Sequence, residues 1–182
     1  MGEVVGVDEA GRGSLAGPVV VCACVLLGNI DGLNDSKKLT PLQRDKLAKK
    51  IVQSSITSIA IGSSIQIDRI NILQSTLHAM KRAAFSLSKK CKIDKVLIDG
   101  NKVPKGMPWE TEAIVNGDES VVQIMAASIV AKVVRDHIME GYGKTIPEYG
   151  FDIHKGYGTK AHYDVLRKLG PSRIHRRSFR LC

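Results

Sequence analysis

The stretch Val4-Val5-Gly6-Val7-Asp8-Glu9-Ala10-Gly11-Arg12-Gly13 decides how the fold is read. Its first four residues form a short apolar run, the pattern of a buried strand. The run ends in two adjacent carboxylates, and a glycine-rich turn follows. Beyond the turn, Pro18 to Leu27 is a Val-rich run that predicts a second strand. A third run, Val96-Leu97-Ile98, ends in Asp99-Gly100. Buried strands that each deliver a carboxylate at their C-terminal end describe the edge of an α/β sheet, where active sites commonly sit.

The segments between these runs alternate in type. Thr40 followed by Pro41 is an N-cap with Pro at the first helical position, so Leu42–Ile51 is predicted helical. Ile56–Ile61 reads as a strand. Ile70, Leu73, Leu77, Met80, Ala84 and Leu87 share one helical face, which predicts a long helix over 67–89. Residues 101–108 read as a loop and Thr111–Val115 as a strand, closed by Asn116-Gly117-Asp118. Val121–Met139 is apolar almost all round, the mark of a central buried helix. Gly141–Gly158 reads as loop, with five glycines and Pro147, and Lys160–Leu169 as a last helix ended by Gly170-Pro171. The expected class is α/β in one domain over 1–182: a mixed β-sheet flanked by helices.

The chain has 182 residues, 43% of them hydrophobic, enough for a full core and too many for a disordered or fibrous protein. No run of 18 apolar residues exists, so no membrane span is expected. Cys22, Cys24, Cys91 and Cys182 show no CxxC pair and no zinc spacing, so they read as reduced thiols of a cytoplasmic protein. The formal charge is +9, and it is uneven. Residues 151–182 hold eight Lys/Arg against Asp152 and Asp164, whereas the first 150 hold 19 basic and 16 acidic residues. The C-terminal segment is therefore the expected contact to a polyanion, with a solvated basic tail as the alternative.

Asp8, Glu9 and Asp99 at strand ends, with Asp118 before the buried helix, form the constellation that carries chemistry. Carboxylates that converge repel one another unless they are protonated or bind cations. The hard-cation solution is Mg²⁺ or Mn²⁺ on oxygen ligands. Two such ions activate water and stabilise the leaving oxygen in phosphodiester hydrolysis. The alternative for each carboxylate is a turn or helix cap. Glycines at 11 and 13 let a backbone approach a ligand closely, though the pattern is neither a P-loop nor a dinucleotide fingerprint. Ser36-Lys37-Lys38 reads equally as a phosphate contact or a solvated loop. Tyr157, between Gly156 and Gly158, suits stacking on a sugar or base, or packing its own loop. His154, His162 and His175 have no metal-like spacing. Cys22 and Cys24 share a strand face and read as core.

Together these blocks resemble the type 2 ribonucleases H, the bacterial ribonuclease HII group. Val7–Gly13 with Leu15-Ala16-Gly17-Pro18-Val19 is similar to the N-terminal signature of that family. Asn34–Leu39, Leu97–Asn101, Gly117-Asp118 with Ala126–Asp136, His154–Thr159 and His175–Phe179 resemble its further motifs, in the family order. The resemblance implies a ribonuclease-H-like sheet with a helical C-terminal part. It implies an endonuclease that hydrolyses RNA in RNA–DNA hybrids. It also implies incision 5′ to ribonucleotides embedded in duplex DNA, leaving 3′-hydroxyl and 5′-phosphate ends. Under it, Asp8, Glu9, Asp99 and Asp118 hold two divalent cations, Gly11, Arg12 and Gly13 read the ribose 2′-hydroxyl, and Tyr157 helps read the RNA-to-DNA junction. Lys155, Arg173, Arg176 and Arg177 are expected on phosphates, and the protein is expected to be monomeric. A catalytically dead binding module is disfavoured because all four carboxylates are present. A small-molecule phosphatase is disfavoured because its substrate needs no extended basic segment.

Overall fold

The computed structural model describes residues 2–33, 36 and 39–181. Five strands form one sheet: β1 (Glu3–Ala10), β2 (Val19–Leu26), β3 (Ser55–Gly62), β4 (Ile93–Asp99) and β5 (Glu110–Ile114), in the order β3-β2-β1-β4-β5. β2 runs antiparallel to β1 and β3, while β4 is parallel to both β1 and β5. The mixed sheet expected from the sequence is thus present. Its helices are α1 (Pro41–Ser54), α2 (Ser64–Ile70), α3 (Ile72–Leu87), α4 (Gly117–Ser120), α5 (Val122–Thr145), α6 (Phe151–His154) and α7 (Lys160–Leu169).

Side chains alternate across a strand, and this sorts the core. Val5, Val7, Val21, Ala23 and Val25 face α3, packing on its Ala79, Met80, Ala83 and Leu87. Cys22 and Cys24 face the other way, with α1 and the Ala126–Ala131 stretch of α5. Both cysteines are core, as their spacing predicted; burial raises the Cys24 thiol to about 12. Gly6 is obligatory, because a methyl group there would lie 2.1 Å from the carbonyl carbon of Gln123. That absence of a side chain lets the start of α5 rest directly on β1, the central strand.

Three elements differ from their sequence reading. The helix predicted over 67–89 is two helices, broken at Asn71 with φ +64°. Asn tolerates that left-handed φ, and its side chain caps α3 at the Gln74 amide. The apolar period runs through the break, so the pattern alone could not show it. α5 continues to Thr145 through a stretch read as loop. Gly143 does not break that helix; it makes room for Asp152, whose Cβ would stand 2.6 Å from an added methyl group. The rest of that stretch folds as a 3₁₀ turn (Pro147–Tyr149) and α6 rather than as open loop. α1 starts as expected, with Thr40 and Gln43 forming a reciprocal capping box.

The C-terminal part packs Tyr149, Phe151 and Ile174 against Ala16 and Met139. Its last segment returns to the N-terminal turn: the Gly17 amide donates to the Ile174 carbonyl (2.9 Å) and the Arg176 amide to the Leu15 carbonyl (2.9 Å). Among the described residues no helix is long and apolar enough to cross a membrane.

Candidate active site

The parallel pairing of β1 and β4 sets the geometry. Val7 pairs with Ile98, so the next residues, Asp8 and Asp99, emerge at the same end of neighbouring strands. Glu9 follows on β1. Asp118 arrives from α4, whose first turn is fastened to β4: the Asp99 Oδ1 accepts from the amides of Gly117 (2.7 Å) and Asp118 (3.3 Å). All four carboxylates line one cavity of about 260 Å³. Asp8 and Asp118 are only 4% and 6% exposed.

This crowding has an electrostatic cost. Burial raises Asp8 well above the usual carboxylate range, and the charges of Glu9 and Asp99 push it further. A hydrogen bond from Ser128 acts the other way. Glu9 is raised by burial and by Asp99, against the pull of Arg12, whose guanidinium lies 3.4 Å from Oε1. The other Glu9 oxygen, Oε2, is buried with no hydrogen-bond partner among the described residues. A buried, mutually repelling set of oxygen donors with an orphaned acceptor is what a hard divalent cation would relieve. Among the described residues no three His, Cys, Asp or Glu side chains are already drawn into a ligating cluster. The residues present therefore fit such an ion chemically, as a set that a cation would draw in.

The turn beside the carboxylates uses its two glycines differently. Gly11 has φ +96°, and a methyl group there would stand 1.9 Å from the Arg135 Nε; it is glycine because Arg135 lies against it. Gly13 has nothing within 4 Å and is exposed, so its backbone is open to an incoming group. The turn's carbonyls point inward onto two buried arginines. Arg176 donates to the carbonyls of Gly11 (2.6 Å), Arg12 (2.8 Å) and Gly17 (3.0 Å). Arg135 donates to Pro18 O (3.0 Å), Ala16 O (3.2 Å) and Ser14 Oγ (2.7 Å). With the Gly11 and Arg12 carbonyls held inside, Gly11 is the residue of the turn that lines the cavity.

Tyr157 lines the same cavity. Its ring lies over Arg135 (5.0 Å from Cζ) and Lys132 (5.4 Å from Nζ). Gly156 holds the loop onto the turn, accepting from the Leu15 amide (2.8 Å). Of the two roles the sequence left open, stacking on a sugar or base and packing of its own loop, the ring's contacts with Lys132 and Arg135 show packing onto α5. Ser36 also reaches the cavity, where its hydroxyl meets Ser128 Oγ (3.2 Å) and its carbonyl accepts from Arg44 (2.9 Å). Lys37 and Lys38 lie outside the described residues.

The basic segment requires correction. Arg176 is 0% exposed, and its guanidinium is spent on backbone carbonyls, so it braces the turn rather than meeting phosphate. Lys155 is paired with Glu140 (2.7 Å) and the Asp152 carbonyl (2.5 Å). Arg173 and Arg177 are exposed, as a phosphate contact requires. Ser128, Lys132 and Arg135 were not singled out from the sequence. Their i, i+4, i+7 spacing on α5 was the available signal, since it puts three polar side chains on one face of a largely apolar stretch.

A family model for ribonuclease HII matches residues 5–182. This chain belongs to the ribonuclease HII family. A ribonuclease HII of Coxiella burnetii (strain RSA 493 / Nine Mile phase I) is 50% identical over 179 residues, 97% of this chain and 87% of that protein. The solved ribonuclease H2 of Pyrococcus horikoshii OT3 superposes with a TM-score of 0.78 at 28% identity, covering 98% of this chain and 94% of that one. Bst-RNase HIII in complex with Mn²⁺ shares the fold, with a TM-score of 0.78 at 19% identity over 98% of this chain and 67% of its own. The family membership makes the protein a nuclease of the hydrolase class.

Proposed function

We propose that this chain hydrolyses the RNA strand of RNA–DNA hybrids and cuts 5′ to single ribonucleotides embedded in duplex DNA, leaving 3′-hydroxyl and 5′-phosphate ends. It would act as a monomer in the cytoplasm. The observation that carries the reading is the meeting of four carboxylates from β1, β4 and α4 in one cavity that Gly11, the first residue of the Gly11–Gly13 turn, also lines. Asp8, Glu9, Asp99 and Asp118 would hold two divalent cations, Mg²⁺ or Mn²⁺. The Mn²⁺ complex of Bst-RNase HIII supports that choice. Bound there, such ions supply an activated water and charge stabilisation at the leaving oxygen.

The chain's own residues account for the rest. Asp99 ties β4 to α4: its carboxylate accepts from the Gly117 and Asp118 amides and so fixes the backbone that carries the Asp118 side chain. Ser128 on α5 orients Asp8. The exposed backbone at Gly13 reaches the ribose edge of the substrate, and the Arg176 and Arg135 braces keep it from receding. A 2′-hydroxyl is donor and acceptor at once, so a backbone site built for it rejects deoxyribose by leaving polar groups unpaired.

The test is cleavage, with Mg²⁺ or Mn²⁺, of an RNA–DNA hybrid, a DNA duplex with one ribonucleotide, and a nucleoside monophosphate. The first two should be cut and the third untouched. Phosphate release from the monophosphate with both polymers intact would replace this reading by a small-molecule phosphatase.

A further inference from the structure

Three histidines without metal-like spacing lie together behind Tyr157. The rings of His154 and His162 stack at 4.1 Å, and those of His162 and His175 lie 5.1 Å apart. His162 and His175 are buried, and their Nε2 atoms are 2.9 Å apart. The direction of each hydrogen bond follows from one backbone group. The Ser172 amide can only donate, and it lies 2.8 Å from His175 Nδ1. That nitrogen is therefore the acceptor, and the neutral ring carries its proton on Nε2. His175 Nε2–H then donates to His162 Nε2. His162 is left with its proton on Nδ1, which donates to the Tyr157 carbonyl (2.9 Å). His154 is fixed in the same way: it accepts at Nδ1 from the Gly156 amide (3.1 Å) and donates at Nε2 to the Tyr149 carbonyl (2.8 Å).

The chain of bonds ends on the backbone of the aromatic residue that lines the carboxylate cavity. It starts on the segment that braces the Gly11–Gly13 turn. His175 bridges Ala16, and its neighbour Arg176 holds the carbonyls of Gly11 and Arg12. Two consecutive residues of the tail thus reach the two features that border the cavity. An apolar core would need no ordered polar path between them, and fully satisfied buried networks specify one arrangement rather than several.

We propose that His175 and His162 are positioning residues, a proton-ordered relay that sets the Tyr157 ring at a fixed distance from the Gly11–Gly13 turn. The relay rests on the reading of Tyr157 as a junction contact for its consequence in catalysis, though not for its effect on the loop. Its role is to make discrimination of a single embedded ribonucleotide depend on residues that touch no substrate.

The test compares His175→Leu, which removes the ring's hydrogen bonds to His162 and to the Ser172 amide and hydroxyl, with His175→Gln, whose amide can still donate to His162. Hydrogen exchange at the Tyr157 and Thr159 amides should speed up about tenfold in His175→Leu and stay near the parent rate in His175→Gln. Cutting of a single-ribonucleotide duplex relative to a continuous hybrid should fall by about the same factor in His175→Leu and be restored in His175→Gln. In a Tyr157→Ala background, His175→Leu should change that ratio no further. Unchanged exchange in His175→Leu overturns the relay whatever Tyr157 does. So does a ratio that stays at the parent value while Tyr157→Ala lowers it. If exchange rises but Tyr157→Ala costs both substrates equally, the junction reading of Tyr157 fails and the relay stands as the device that holds its loop. Should His175→Leu not fold, His175→Gln decides, because a Tyr157→Ala-like ratio in that variant contradicts the relay.

Discussion

The sheet edge and the C-terminal tail both gather like charge, and they do so in opposite ways. At the sheet edge, Asp8, Glu9, Asp99 and Asp118 open onto a cavity, with Asp8 pushed up by burial and by its neighbours. In the tail, Arg176 turns inward, where burial and then Arg135 lower it to about 9, and three backbone carbonyls surround its guanidinium. The acidic cluster faces a cavity, and the buried arginines face the chain itself. A count of charge along a sequence therefore measures what a segment carries, not what it presents. Arg173 and Arg177 remain as exposed cations of the tail, while Lys155 is engaged by Glu140.

Substitution at the sheet edge should give the largest effect on activity. Asp99→Asn keeps the shape and removes a charge from the set, so turnover should fall by about a thousandfold or more. The fold should persist, and the metal-free variant should melt no lower than the parent because repulsion is relieved. Turnover within tenfold of the parent at saturating Mg²⁺ would contradict the role of this carboxylate.

The tail should break in two distinct ways. Arg176→Met strands the carbonyls of Gly11, Arg12 and Gly17, and should cost about 3 kcal/mol of stability with little change in the salt dependence of binding. Arg173→Ala or Arg177→Ala should do the reverse: near-parent stability, with the salt slope of binding lowered by about one per contact. Equal salt slopes in all three variants and the parent would return the tail to a solvated surface with no phosphate contact.

The contrast also marks where a sequence is legible. β1, β2 and β4 were readable because each is a buried apolar run, and the carboxylates at the ends of β1 and β4 were readable because a charge at the end of such a run is conspicuous. The break at Asn71 was hidden by an apolar period that passes through both helices. Gly143 looked like a helix breaker because its partner, Asp152, sits on an element whose position only tertiary structure defines. Arg176 looked like a surface cation because the carbonyls it serves lie more than 150 residues earlier in the chain. The histidines showed no pattern for the same reason: their bonds connect elements, not neighbours.

The pH dependence of stability should show a smaller effect, and it belongs to the tail. His175 is pushed down to about 4, first by burial and then by His162 and His154. Burial likewise lowers His162 and His154, the latter against the charge of Asp152. The unfolded chain, with histidines near 6.5, takes up protons before the folded one. The stabilisation is thus full above about pH 6.5 and is lost as pH falls through about 4. The gap in melting temperature between the parent and His175→Gln should narrow over that window. A gap that widens on acidification would contradict the neutral relay.

Smaller still is the expected difference between two glycines of one turn. Gly13→Ala points into open space and should leave stability within about 0.5 kcal/mol of the parent, whereas Gly11→Ala drives a methyl group into Arg135 and should lower it by several times that. Comparable melting of the two variants would mean that the brace on Gly11 is not what shapes the turn.

The central claim is that this cavity acts where a ribose stands in a duplex. Its most direct test uses two DNA duplexes that differ by a single 2′-hydroxyl at one position, incubated with the protein and Mn²⁺, with the cut ends mapped. The expected result is one cut, on the 5′ side of the ribonucleotide, leaving 3′-hydroxyl and 5′-phosphate ends, and no cut in the all-DNA duplex. Equal cutting of both duplexes would contradict the claim.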